Sequence, residues 1–164
     1  MAGESLQDVY IEQLKDLYSA EHQILKALPK LAEASTHSEL QKAFQEHEVM
    51  TRTHVERLDK IFTQLGEKGG GHKCKGMEGL LAEGDELLEE HEQSEALDAA
   101  MIAAAQRVEH YEIAGYGSVR TFANMLGLAD QAELLQKTLD EEGATDKRLS
   151  TLAETVVNID AVKE

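Results

Sequence analysis

The chain has 164 residues, enough to bury a sizeable core without disulfide or metal staples. Its 32 acidic against 16 basic residues give a formal charge of −16, which repels phosphate backbones and anionic headgroups and argues against direct binding to nucleic acid or a membrane surface. One proline, no tryptophan and an abundance of Ala, Leu, Glu, Gln and Lys are the composition of long helices rather than sheets.

Apolar residues recur at helical spacing in segments that can be taken in order. The first predicted helix covers 5–34 and contains Pro29, which is expected to kink it near Leu25. The second covers 37–65, with Thr36 or Ser38 as its cap. "GEKGGGHKCKG" follows, a loop by its glycines at 66 and 69–71, and its Lys68, Lys73 and Lys75 read as a solvated crossover. A short helix is predicted over 77–91, a long one over 94–126 ended by Gly127, and a last one over 130–157. The first pair and the last pair have short connections and form antiparallel hairpins. Between them lies a long connection. The expected architecture is all-α, an antiparallel four-helix bundle with a long crossover containing a short extra helix, in one domain over 1–164; this is the connectivity of ferritin-like folds.

Polar groups interrupt each apolar stripe near its midpoint. The first helix reads Leu14, Leu17, Glu21, Ile24, Leu28, and the second Leu40, Phe44, His47, Thr51, His54, Leu58, Ile61, Leu65. In "VEHYE", at 108–112, Glu109 and Glu112 fall on the line Ile102, Ala105, Glu109, Glu112, Tyr116, Val119, Ala123, while His110 points elsewhere. The last helix reads Leu135, Thr138, Glu142, Thr145 with Asp146 adjacent, then Leu149, Leu152, Val156. Glu48 and Glu141 flank their stripes, and a modest rotation would bring either inward. Because residues equally distant from a hairpin turn lie at one height, all four helices deliver these groups to one layer.

Five carboxylates in an apolar layer, at 21, 109, 112, 142 and 146, call for compensation, and no Lys or Arg lies on these stripes. Two divalent cations would supply it. Carboxylate oxygen with imidazole nitrogen suits iron, with manganese as the alternative. The tyrosines Tyr18, Tyr111 and Tyr116 read as core aromatics with bonded hydroxyls. His72 and Cys74 are too few for a zinc site, and no phosphate loop or nucleophile elbow is present. The lone Cys74, the absence of a signal-peptide pattern in "MAGESLQDVYIEQL" and the lack of any run approaching ~18 apolar residues lead us to expect a cytoplasmic protein.

The blocks "DLYSAEHQILKALPKLAEA" (16–34), "AFQEHE" and "HVERLDKIF" (43–62), "KCKGMEGL" (73–80), "DAAMIAAAQRVEHYEIAGYGSVRTFA" (98–123) and "LLQKTLDEEGATDKRLSTLA" (134–153) resemble the YciE/YciF-type family of ferritin-like stress proteins. The resemblance implies a rubrerythrin-like or ferritin-like bundle, usually dimeric, proposed to hold a dinuclear iron-type centre. Carried over, its ligands are Glu21, His47, Glu109, Glu112, Glu142 and Asp146; from this chain's own stripes, Glu48 and His54 are further ligand candidates, and Thr51 and Tyr116 could hydrogen-bond the site. Family members commonly show "HLEET" where this chain has "HEVMT", so acids expected at 49 and 50 are Val49 and Met50. Two functions follow as expectations. One is oxidation of Fe(II), or reduction of peroxide or oxygen, at the metal pair. The other is a non-catalytic role through oligomerisation or partner binding, the polar layer setting helix register.

Overall fold

The computed structural model describes residues 4–164; residues 1–3, included in the predicted domain, lie outside the described residues. The helices are α1 (Leu6–Ala34), α2 (Ser38–Leu65), α3 (Lys75–Glu90), α4 (Glu95–Met125), α5 (Ala129–Leu152) and α6 (Asn158–Lys163), with a π-helical stretch at Ala153–Val157. No strand occurs among the described residues. α1 packs chiefly on α2 and α4 on α5, giving two hairpins that close into a four-helix bundle, and α3 in the crossover lies against α1 and α4.

Local chemistry sets most boundaries. The Ser5 hydroxyl accepts from the Asp8 amide at 3.1 Å and the Ser94 hydroxyl from the Leu97 amide at 3.1 Å, so each fills one orphan donor of a first turn. Gly66 and Gly127 take the left-handed conformation that ends α2 and releases the chain after α4. α1 runs without interruption through Pro29.

Three features depart from expectation. Neither Thr36 nor Ser38 caps α2: His37 holds that position without a side-chain bond, and the wholly buried Asp98 of α4 accepts from the Thr36 and His37 amides at 2.9 and 2.8 Å. α3 starts earlier than predicted, because the Cys74 sulfur accepts from the Met77 amide. The same sulfur donates to Asp16 and lies 3.0 Å from the Tyr111 hydroxyl, and His72 meets the other Asp16 oxygen, so the glycine-rich crossover is tied to α1 and α4.

The third departure is at the far end of the last helix. The wider π turn moves the buried positions on by one residue, to Ala153 and Val157 in place of Leu152 and Val156. α6 then returns along α4, where the Glu164 carboxylate accepts from the Glu95 and Ala96 amides at 3.2 and 3.1 Å.

The apolar core falls into two clusters. One gathers Ile24, Leu28, Phe44, Met101, Ile102 and Leu149; the other gathers Tyr10, Leu14, Leu58, Ile61, Val119 and Leu135. α1 and α4 approach closely between them: a Cβ on Gly115 would lie 2.7 Å from Leu17 Cδ2. On each of the four long helices, the residues separating the two clusters are the polar ones of the interrupted stripes.

Asp98→Ala leaves two amide donors at the start of α2 without their acceptor. The substitution should lower stability by about 1–3 kcal/mol in urea unfolding, and an unchanged midpoint would show that water replaces the carboxylate.

Candidate metal centre

Glu21 from α1, His47, Thr51 and His54 from α2, Glu109, Glu112 and Tyr116 from α4 and Glu142 from α5 meet in one layer, each no more than 5% exposed. Within the layer, two groups of ligand atoms are close enough to hold a cation: His47, Glu109, Glu112 and Glu142, and Glu21, His54 and Glu142. Glu142 belongs to both. The two candidate positions therefore share a carboxylate.

The contacts join all four helices. His47 Nε2 lies 2.9 Å from Glu109 Oε1, and His54 Nδ1 lies 2.8 Å from Glu142 Oε1 and 3.3 Å from Glu21 Oε1. The Tyr116 hydroxyl donates to Glu21 Oε1 at 2.5 Å. Thr51 spends its hydroxyl on the His47 carbonyl, at 2.8 Å, and so acts on its own helix.

Two of the predicted residues are not brought into the layer. Glu48 follows His47 by one helical step of about 100°, which turns it outward to accept from Arg52 Nη2 at 2.7 Å. Asp146 leans toward the edge of α4, where Gln106 Nε2 and the exposed His110 each lie 3.3 Å from its oxygens. Four carboxylates remain in the layer, not five. Val49 is exposed, and Met50 lies on the α5 side, where its sulfur faces Thr145.

Sequence reasoning missed Arg57. Its guanidinium grips Glu141 through both oxygens at 2.6 and 2.9 Å and reaches Thr138 at 3.0 Å, while Glu141 also meets His54 Nε2 at 2.9 Å. This chain orients His54 from behind, the role that outer carboxylates play for metal-ligating histidines. The signal was weak: Glu141 flanks its stripe, and Arg57, three residues after His54, sits at the edge of its own.

Electrostatics separates the groups. Burial raises Glu112 and Glu142 well above the ordinary carboxylate range, and neighbouring carboxylates push them further. Burial likewise pushes Glu109 up to about 7. Burial also acts on Glu21, but the imidazole of His54 outweighs it and holds this carboxyl below its usual value. His54 is pushed up to about 10, because Glu142 and Glu21 overcome the burial that opposes its charge, whereas burial lowers His47. Tyr116 is raised well above its ordinary value by burial and then by Glu21, so it remains a donor.

An antiparallel four-helix bundle with a long crossover and a carboxylate and histidine layer across its middle is the architecture of a ferritin-like protein. The family described as a domain of unknown function (DUF892) matches residues 5–162, and the chain belongs to it. Protein YciF of Escherichia coli strain K12 is 46% identical over 159 residues, covering 96% of each chain. The crystal structure of that E. coli stress protein superposes with a TM-score of 0.90 over 94% of this chain and 98% of its own. YcfI from Rhodopseudomonas palustris, 41% identical, gives 0.87 over 90% of this chain and 94% of its own. A two-domain protein from Anabaena variabilis containing a ferritin-like domain, 20% identical, gives 0.66 over 95% of this chain and 39% of its own, a likeness of fold. No helix among the described residues is long and apolar enough to cross a membrane.

Native metal-free protein holds protons on Glu109, Glu112 and Glu142 that the unfolded chain releases above its ordinary carboxylate range, so their linkage makes stability fall as pH rises. His54 acts in the same direction: its contribution is complete below about 6.5 and is lost as pH climbs toward about 10. His47, depressed by burial, opposes them, and is one group against four. The thermal midpoint of the metal-free protein should therefore fall between about pH 5 and about pH 8, and a midpoint that rises across this window would contradict the assignment.

Proposed function

We propose that the layer holds two divalent cations, iron or alternatively manganese, and that the protein acts as a redox centre of the stress response, oxidising Fe(II) or reducing oxygen or peroxide. The observation that carries this reading is that six buried carboxylate oxygens of the layer make no well-directed hydrogen bond: Glu21 Oε2, Glu109 Oε2, both oxygens of Glu112 and both of Glu142, of which only Glu142 Oε1 has an imidazole, His54, at short range. Native interiors satisfy such atoms, and six on four inward-facing carboxylates at one height indicate coordination. Four carboxylates also equal the four positive charges of two divalent ions.

His47, Glu109, Glu112 and Glu142 would hold one ion, and Glu21, His54 and Glu142 the other. A bound iron pair supplies reversible one-electron changes between Fe(II) and Fe(III). Around it, Arg57 and Glu141 keep His54 oriented, Tyr116 holds Glu21 by its hydroxyl, and the two apolar clusters keep bulk water from both faces of the layer. The description of the E. coli relative as a stress protein supports the physiological setting. We place the protein in the cytoplasm as a homodimer.

Ligation needs ionised carboxylates and neutral imidazoles, whereas burial and neighbouring charge favour the protonated forms of Glu112, Glu142, Glu109 and His54 in the metal-free layer. Anaerobic Fe(II) titration in weak buffer should saturate near two ions per chain with release of protons, and oxygen or peroxide should then produce a new near-ultraviolet absorption band. Glu109→Gln should lose at least one ion. A layer that serves only helix register would bind no stoichiometric metal, and Glu21, Glu112 and Glu142 could then be replaced together by Gln in a folded, functional protein.

A further inference from the structure

Beside the layer, on its His47 side, lies a cavity of about 80 Å³. All of the first five helices contribute to its lining, and it runs from the buried layer to partly exposed residues. Its walls are chiefly apolar, from Ile24, Leu28, Phe44, Ala105, Val108 and Leu149. The buried polar side chains in the lining are His47 and Glu109, and both His47 Nδ1 and Glu109 Oε2 lack a hydrogen-bond partner. At the outer side Met50 and Thr145 lead to Glu46 and Arg148, an ion pair between α2 and α5 whose side chains are 48% and 40% exposed.

We propose that this cavity is a binding site for a small uncharged molecule with an apolar body and one hydrogen-bonding end, the class of short alcohols and aldehydes. Size sets the upper limit. The cavity is about half the ~150 Å³ of an engineered apolar cavity that admits benzene, so an occupant of roughly two to four non-hydrogen atoms fits. Apolar walls disfavour water and ions, while the unpartnered His47 Nδ1, the ring nitrogen other than the one that faces Glu109, gives one polar end something to bond. A well-packed core gains stability by closing such a space, and the Ala43 and Ala105 methyls on its wall leave it open where larger side chains would fill it. Entry passes the Glu46–Arg148 pair, exposed enough to part without unpacking the bundle.

The inference rests on the metal reading for what happens to the ligand there, but not for binding. Xenon and 1-propanol, added to the metal-free and to the cation-loaded protein, should produce saturable shifts of the Ala105, Leu28 and Leu149 methyl resonances. Ala105→Leu fills the cavity and should weaken 1-propanol by about tenfold or more while leaving cation stoichiometry unchanged. If that variant fails to fold, Ala43→Val serves the same purpose. Absence of saturable shifts in the unsubstituted protein, or equal affinity in the filled variants, overturns the site. Shifts that persist in a protein taking up no cation uphold the site and defeat the metal reading.

Discussion

Four carboxylates and two imidazoles buried across the middle of a helical bundle are the constraint to which the rest of the molecule answers. An isolated ion in such surroundings costs several kcal/mol even after relaxation. The metal-free layer meets the cost in two ways. Glu112 and Glu142 are pushed toward the neutral acid, and His54 is pushed toward the cation, which leaves Glu21 as the carboxylate most favoured to stay charged. Protons thus stand where cations would stand. The same geometry that makes the layer tolerable without metal is the one the proposed cations would use.

The apolar core is organised around this layer. Each long helix supplies hydrophobic residues to one cluster, a polar step, and then hydrophobic residues to the other, so no helix can slide by a turn without pushing a carboxylate or an imidazole into hydrocarbon. Binding groups and register are therefore set by the same residues. The outer supports lie away from the stripes: Arg57 and Glu141 brace His54 between α2 and α5, while Asp98 fastens α4 to the start of α2.

The stripes made the fold legible, because a 3.6-residue period with polar interruptions at equal distances from two turns leaves little freedom in how two hairpins pack. Glu21, His47, Glu109, Glu112 and Glu142 could be placed at one height by that reasoning alone. Rotation about a helix axis is harder to read. Glu48 flanked the α2 stripe within a modest turn of the inward face whereas His54 lay on it, and packing against α1 and α5 keeps His54 in while Glu48 turns out to Arg52. Asp146 shares an edge with Thr145, and its choice of Gln106 and His110 depends on side chains about forty residues away. The cap from Asp98 and the grip of Arg57 on Glu141 likewise join distant positions that carry no local signature.

The π turn at Ala153–Val157 introduces one residue more per turn than the α-helix around it. Everything beyond it is rotated by about 100° relative to a continuous α-helix. That rotation carries Val157 into the core and brings the Glu164 carboxylate to the amides of Glu95 and Ala96. Deleting one residue from the stretch would relax the backbone and turn that face away without altering a contacting side chain. In this part of the chain a change in spacing by one residue therefore outweighs most changes in residue identity, and relatives that differ here by a single insertion or deletion will present a different side of the last helix to α4.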